Sequence, residues 1–147
     1  MSSSSGIKLA AVVPAAGTGS RMQSEQPKQF IEIQSQPILS HTLAAIQRAP
    51  QVQRVFVAVN PTAINLYPHW PEAVETVSGG ESRAESVLMG LKEAARQGFS
   101  HALVHDAARP CLPLSVLLDV IEQGTLQDQG AIVALPVRDT LKRAQAD

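Results

Sequence analysis

Leu9-Ala10-Ala11-Val12-Val13-Pro14-Ala15-Ala16-Gly17-Thr18-Gly19-Ser20-Arg21-Met22 begins with five apolar residues in unbroken succession. A run without polar alternation predicts a strand buried on both faces, as in a parallel sheet covered by helices on either side. Pro14 ends it, because proline has no N–H to give a strand ladder. A loop of small residues follows from Ala15. Small residues let the backbone close around an anion, and exposed amides can bind phosphate oxygens. Arg21, and Lys28 in Pro27-Lys28-Gln29, add two full positive charges. Arginine forks onto phosphate oxygens, whereas lysine acts as a mobile point charge. The plain alternative is a turn at Gly17 and Gly19 with both cations solvated. Two common nucleotide motifs are excluded. G-x-G-x-x-G would need glycine where Met22 stands, and no G-K-S/T follows for a Walker A loop.

Working outward, the chain alternates strand and helix. Residues 37–48 read as a helix with Ile38, Leu39, Leu43 and Ile46 on one side, ended by Pro50. Val52–Val59 is a β-branched strand closed by Asn60-Pro61, and residues 61–71, with three prolines, read as short helix or loop. Glu75-Thr76-Val77 is a weaker strand signal leading into Ser78-Gly79-Gly80. Ser82 and Glu85 have capping-box spacing; Val87, Leu88, Leu91 and Ala95 follow at helical intervals, and Gly98 stops the helix. Residues 101–105 predict a short strand, 114–123 a helix closed by Gly124, and 131–135 a strand ended by Pro136. This alternation predicts an α/β fold: a Rossmann-like, mostly parallel sheet with right-handed crossovers, flanked by helices. Such sheets bind ligands beyond the carboxyl ends of their strands, and each motif below follows one of these strands.

Composition narrows the function classes. The 147 residues fit one domain, and 44% hydrophobic against 17% charged residues supplies one real core. A net charge of −1 gives no field for nucleic acid or an anionic membrane, so an anionic ligand must be held by a few placed cations. A single cysteine, Cys111, excludes an intrachain disulfide, is compatible with a reducing cytoplasm, and reads as a small core residue. The longest apolar run, residues 9–16, is too short to span a bilayer. Residues 1–7 read as a disordered Ser-rich leader without signal-peptide character, and 8–147 as the nucleotide-binding domain.

Three further segments carry chemistry. In Gly79-Gly80-Glu81-Ser82-Arg83-Ala84-Glu85-Ser86-Val87, two glycines run into a helix N-terminus, whose free amides and dipole suit a phosphate or a base edge. Taken alone, the same segment is an ordinary loop before a well-capped helix. In Val104-His105-Asp106-Ala107-Ala108-Arg109-Pro110, Asp106 follows a strand, where one carboxylate suits Mg²⁺ on a triphosphate, and Arg109 could hold a second phosphate. A surface Asp–Arg pair is the plainer reading, and His105 reads as a hydrogen-bonded residue rather than a metal ligand. Pro136-Val137-Arg138-Asp139-Thr140-Leu141-Lys142 reads by pattern as an exposed terminal segment.

Together, in order and spacing, the four segments resemble the 2-C-methyl-D-erythritol 4-phosphate cytidylyltransferases of the non-mevalonate isoprenoid pathway. The first motif is shared widely among nucleotidylyltransferases, and ribitol 5-phosphate cytidylyltransferases share much of the whole pattern. The resemblance implies that Pro14, Ala15, Ala16, Gly17 and Gly19 line the phosphates and ribose of CTP. It implies that Arg21 and Lys28 stabilise charge at the α-phosphate. Gly80, Glu81 and Ser86 would contact cytosine and ribose, with Arg83 supporting their loop. Asp106 would help hold Mg²⁺ or another divalent cation, and Arg109 and Thr140 would face a small sugar-alcohol phosphate. Members of the family are longer. Here the sequence stops at Gln145-Ala146-Asp147, where the resemblance implies the start of a β-arm that embraces a partner subunit in a homodimer. The expectation is cytidylyl transfer with release of pyrophosphate, weak in a chain cut at that arm. The rival readings are another sugar-phosphate nucleotidylyltransferase and a non-catalytic nucleotide-binding fragment.

Overall fold

A computed structural model describes residues 6–17, 27–66, 70–126, 130–138 and 140. Among the described residues the core is a four-stranded parallel sheet in the order Val74–Ser78, Val52–Val59, Leu9–Pro14, His101–Val104. Its strands are β1 (Leu9–Pro14), β4 (Val52–Val59), β5 (Val74–Ser78) and β6 (His101–Val104). β1 lies inside the sheet, with Val12 paired to Phe56 on one side and Val104 on the other. Its unbroken apolar run follows from this position, since both faces are covered. Ala11 and Val13 join Leu39, Leu43 and Ile46 of helix α1 (Ile38–Gln47). Ala10 and Val12 point the other way, toward Phe56 and Ala94 of helix α2 (Arg83–Arg96). Leu9 packs with Leu117 and Ile121 of helix α3 (Leu114–Leu126). Alternate residues of one strand thus serve opposite layers, and each fully buried valine contributes roughly 1.5–3 kcal/mol.

α2 shows how local sequence fixes an element. Ser82 Oγ accepts from the Glu85 amide at 3.1 Å, and Glu85 Oε2 accepts from the Ser82 amide at 3.0 Å. At the other end Gly98 turns the chain at φ 81°. Midway, a Cβ on Gly90 would overlap Val12 Cγ1, so the missing side chain lets α2 lie close against the sheet.

Several expectations need correction. α3 continues through Gly124 to Leu126. A helical glycine costs about 1 kcal/mol against alanine but does not end a helix that packs elsewhere. Residues 131–135 are not a strand: they are irregular, with Ile132 and Leu135 each 88% exposed. A β-prone run becomes a strand only against a partner, and among the described residues none pairs with it. Cys111 is exposed rather than packed in the core, lying in the irregular Pro-rich approach to α3.

The sequence also concealed a hairpin, β2 (Glu32–Ile33) with β3 (Gln36–Pro37), between the first loop and α1. Its central residues Gln34 and Ser35 have φ 52° and 62°. Such a turn ordinarily announces itself by Asn-Gly or Asp-Gly. His41 Nε2 of α1 donates to the Ile33 carbonyl at 2.9 Å and holds the hairpin on the helix.

Candidate functional site

The loops after β1, β5 and β6 open at the same end of the sheet. Chain direction changes between neighbours β1 and β6, since β1 leads out to β4 while β6 is reached from β5. A crevice is expected at such a switch point. A cleft of about 410 Å³ lies there.

The first wall is the loop after β1. Pro14, Ala15, Ala16 and Gly17 all line the cleft, with Lys28 beside them. Gly19 and Arg21 lie outside the described residues. The Ala15 amide donates to the Ala58 carbonyl at 2.7 Å, which extends the sheet ladder into the loop. A Cβ on Gly79 would collide with Ala16 Cβ, so that glycine allows the loop after β5 to lean on the loop after β1. Gln29 is 7% exposed. Its Nε2 donates to the carbonyls of Ala15 at 2.6 Å and Gly17 at 3.2 Å. Lys28, Gln29 and Phe30 form one 3-10 turn, anchored by Phe30 in the core beneath α1.

The second wall is the start of α2. Glu81, Arg83 and Ser86 line the cleft, and Gly80 does not. The Ser86 hydroxyl, though on the wall, is occupied by its own loop. It accepts from the Gly80 amide at 3.2 Å and donates to the Ser82 carbonyl at 3.0 Å.

The third wall is the loop after β6. Asp106 faces the cleft, and both its oxygens are engaged. Arg83 reaches Oδ1 with Nε at 2.8 Å and Nη2 at 2.7 Å, while Arg109 Nε lies 3.1 Å from Oδ2. The Arg83 side chain therefore spans the cleft to Asp106 instead of bracing the 79–81 loop. Exposed ion pairs of this kind contribute roughly 0–1 kcal/mol, so they exchange readily. His105 Nε2 donates to the Arg109 carbonyl at 2.9 Å and closes the loop on itself. Thr42 of α1, fully buried, donates Oγ1 to the Ala107 carbonyl at 2.8 Å.

Arg109 faces a neighbouring apolar groove between β6 and the 131–135 segment rather than the cleft. Thr140 is exposed and lines neither space, because the segment before it is not built into the sheet. Asp139 and Lys142 lie outside the described residues. Among the described residues no group of three His, Cys, Asp or Glu stands together. Asp106 and Glu81 both line the cleft, and a donor set of one or two hard carboxylates is one that suits Mg²⁺, which completes its shell with other oxygens and water.

Sequence reasoning assigned no role to Gln29 or Thr42. Each carried a signal. Gln29 is a polar residue between a site cation and a core phenylalanine. Thr42 falls on the buried stripe of α1 with Leu39, Leu43 and Ile46. A polar side chain at a core position requires a partner, and here the partners are the site loops.

Comparison with known proteins bears on the family and the fold. The family model for 2-C-methyl-D-erythritol 4-phosphate cytidylyltransferase matches residues 9–147. The chain is 51% identical over 140 residues to the protein of that name from Idiomarina loihiensis, covering 92% of this chain and 55% of the relative. It is 48% identical over 140 residues to that from Shewanella halifaxensis, covering 92% and 60%. It thus spans little more than half the length of these relatives. A crystal structure of 4-diphosphocytidyl-2C-methyl-D-erythritol synthase matches with TM-score 0.77 at 37% identity, covering 95% of this chain and 65% of that one. The Francisella tularensis cytidylyltransferase matches with TM-score 0.76 at 28% identity, covering 94% and 62%. Among the described residues no helix is long and apolar enough to cross a membrane. Matched over residues 9–147, the chain belongs to the 2-C-methyl-D-erythritol 4-phosphate cytidylyltransferase family.

Proposed function

We propose that the cleft binds CTP, with its phosphates against residues 14–17 and Lys28 and its base near Glu81. In a protein of the family's full length, the reaction is transfer of CMP to 2-C-methyl-D-erythritol 4-phosphate with release of pyrophosphate. The observation that carries this reading is the convergence of a small-residue loop, a lysine and a carboxylate on one cleft at a switch point of the sheet. The acceptor's phosphate oxygen attacks the α-phosphorus of CTP, the bond to the pyrophosphate oxygen breaks, and pyrophosphate departs. A phosphate nucleophile is already anionic at neutral pH and needs no general base. The protein's work is to align two anions and offset their charge.

Lys28 supplies that charge at the α-phosphoryl group, with Arg21 assigned the same task. Arg109, beside Asp106, is the cation for the acceptor phosphate; Thr140, which lines neither the cleft nor the groove, is assigned to the acceptor by the family resemblance alone. Asp106 would hold Mg²⁺ or another divalent cation together with phosphate oxygens and water. The ion, when bound, offsets negative charge on the triphosphate. Homodimers of the full-length protein and a cytoplasmic location complete the proposal; the family resemblance and the lone cysteine support them.

The test is the thermal shift of the chain with CTP, ATP or GTP plus Mg²⁺. CTP should give the largest stabilisation, because the resemblance assigns the cytosine to the Gly80-Glu81 stretch, of which Glu81 lines the cleft. Equal or larger stabilisation by a purine nucleotide refutes the cytidylyl assignment.

A further inference from the structure

We infer that Gln29 is a positioning residue that sets the shape of the phosphate loop, an inference resting on the reading of this cleft as the triphosphate site. Three observations carry it. Gln29 is buried, and its carboxamide reaches back 14 residues to Ala15 and 12 residues to Gly17. Both partners are carbonyl oxygens, which only accept, so the atom between them is the NH2 group with both hydrogens used. The same turn puts Lys28 on the cleft and Phe30 in the core, so one rigid unit ties the cation, the loop and the fold together.

The physical consequence is electrostatic. A carbonyl oxygen is the negative end of its peptide dipole, and two such oxygens turned toward a triphosphate would repel it. Gln29 holds both on its own amide. In a trans peptide the N–H points opposite to the C=O, so fixing the Ala15 carbonyl also fixes the direction of the Ala16 N–H. Donors that are aimed before the ligand arrives cost no reorganisation when it binds.

Two substitutions separate this role from simple packing. Gln29→Met keeps the length and removes the donors. Gln29→Glu keeps the shape and sets a carboxylate against two carbonyls. The first measurement uses the 147-residue chain without ligand. Amide hydrogen exchange at Ala15, Ala16 and Gly17 should quicken by at least about tenfold in Gln29→Met, while Val12 and Phe56 keep their protection. The second is calorimetric titration with CTP and with cytidine. CTP affinity should fall at least about tenfold in Gln29→Met and further in Gln29→Glu, while the affinity of cytidine, which has no phosphate, should not change. Unchanged exchange in the loop overturns the inference. So does an equal loss of CTP and cytidine, the mark of a merely structural role. If the wild-type chain does not bind CTP while Gln29→Met still loosens the loop, the functional reading fails and the positioning of the loop by Gln29 stands.

Discussion

Thr42→Val tests whether α1 holds the Asp106 loop in place. Thr42 is fully buried, and its hydroxyl lies 2.8 Å from the Ala107 carbonyl and 3.2 Å from that of Ile38. One hydroxyl hydrogen serves mainly the nearer acceptor, and the Ile38 carbonyl keeps its helical partner. Valine has nearly the same shape, so the change leaves packing intact and strips the Ala107 carbonyl of its hydroxyl partner. Ala107 is 5% exposed, so water replaces that bond poorly. Orphaning a buried acceptor costs about 1–3 kcal/mol. For a chain of this size each kcal/mol shifts Tm by about 2–4 °C, giving a fall of about 2–12 °C. Thr42→Ser is the control: it keeps the hydroxyl and removes one methyl, about 0.8 kcal/mol of burial. The assay is thermal and urea unfolding of both variants, with CTP titration of each. The valine variant should lose both stability and CTP affinity, and the serine variant should keep its affinity. A valine variant that melts within about 1 °C of wild type, with CTP affinity unchanged, refutes the reasoning.

In a protein of the family's full length, Lys28→Ala should lower kcat by about 10²–10³, with melting nearly unmoved; steady-state kinetics showing near-normal kcat would remove Lys28 from the mechanism. Gly90→Val should destabilise by about 1–3 kcal/mol in urea titrations, because the new side chain must enter the space held by Val12. A neutral result would show that α2 can move off the sheet. Glu93 is held at about 2, below its ordinary 4.5, chiefly by its hydrogen bond from Arg96. A carboxylate so depressed contributes stability above its unfolded pKa and loses it as pH falls toward 2, so Glu93→Gln should flatten the fall in Tm between about 4.5 and about 2. An unchanged acid limb would deny the pair any role in stability.

What was legible in the sequence was local. β1 and β4 announced themselves by runs of valine and alanine, and α2 by the Ser82–Glu85 box, because those signals act within a few residues. The 131–135 segment misled because strand character is a property of a pair, and its apolar residues are mostly exposed without one. The β2–β3 turn was hidden because Gln34 and Ser35 take positive φ without the usual glycine or asparagine. In the site, the loop motifs stood out by composition. The groups that shape those loops did not, since Gln29 acts 14 residues back and Thr42 acts 65 residues on. A polar residue on a buried stripe says that a partner exists, and only the fold says which.

The contrast between the bonds that hold this site and the charges that fill it follows the same physics. Gln29 and Thr42 are neutral, buried and bonded to backbone carbonyls, so breaking either contact leaves a poorly solvated polar group. Arg83, Arg109 and Asp106 are charged, partly or largely exposed and paired with one another, so water and salt compensate when they part. A triphosphate site, as proposed for this cleft, needs that difference. Its backbone must keep one shape whether or not a ligand is present. Arg83, on the cleft, and Arg109, on the groove beside it, must be able to leave Asp106 for an anionic ligand without a large penalty. Had Asp106 been buried as deeply as Thr42, separating it from Arg83 would strand an uncompensated charge at several kcal/mol, and the cleft would resist its ligand. The strong bonds are thus made by buried neutral groups and the weak ones by exposed charges, whose partners must exchange.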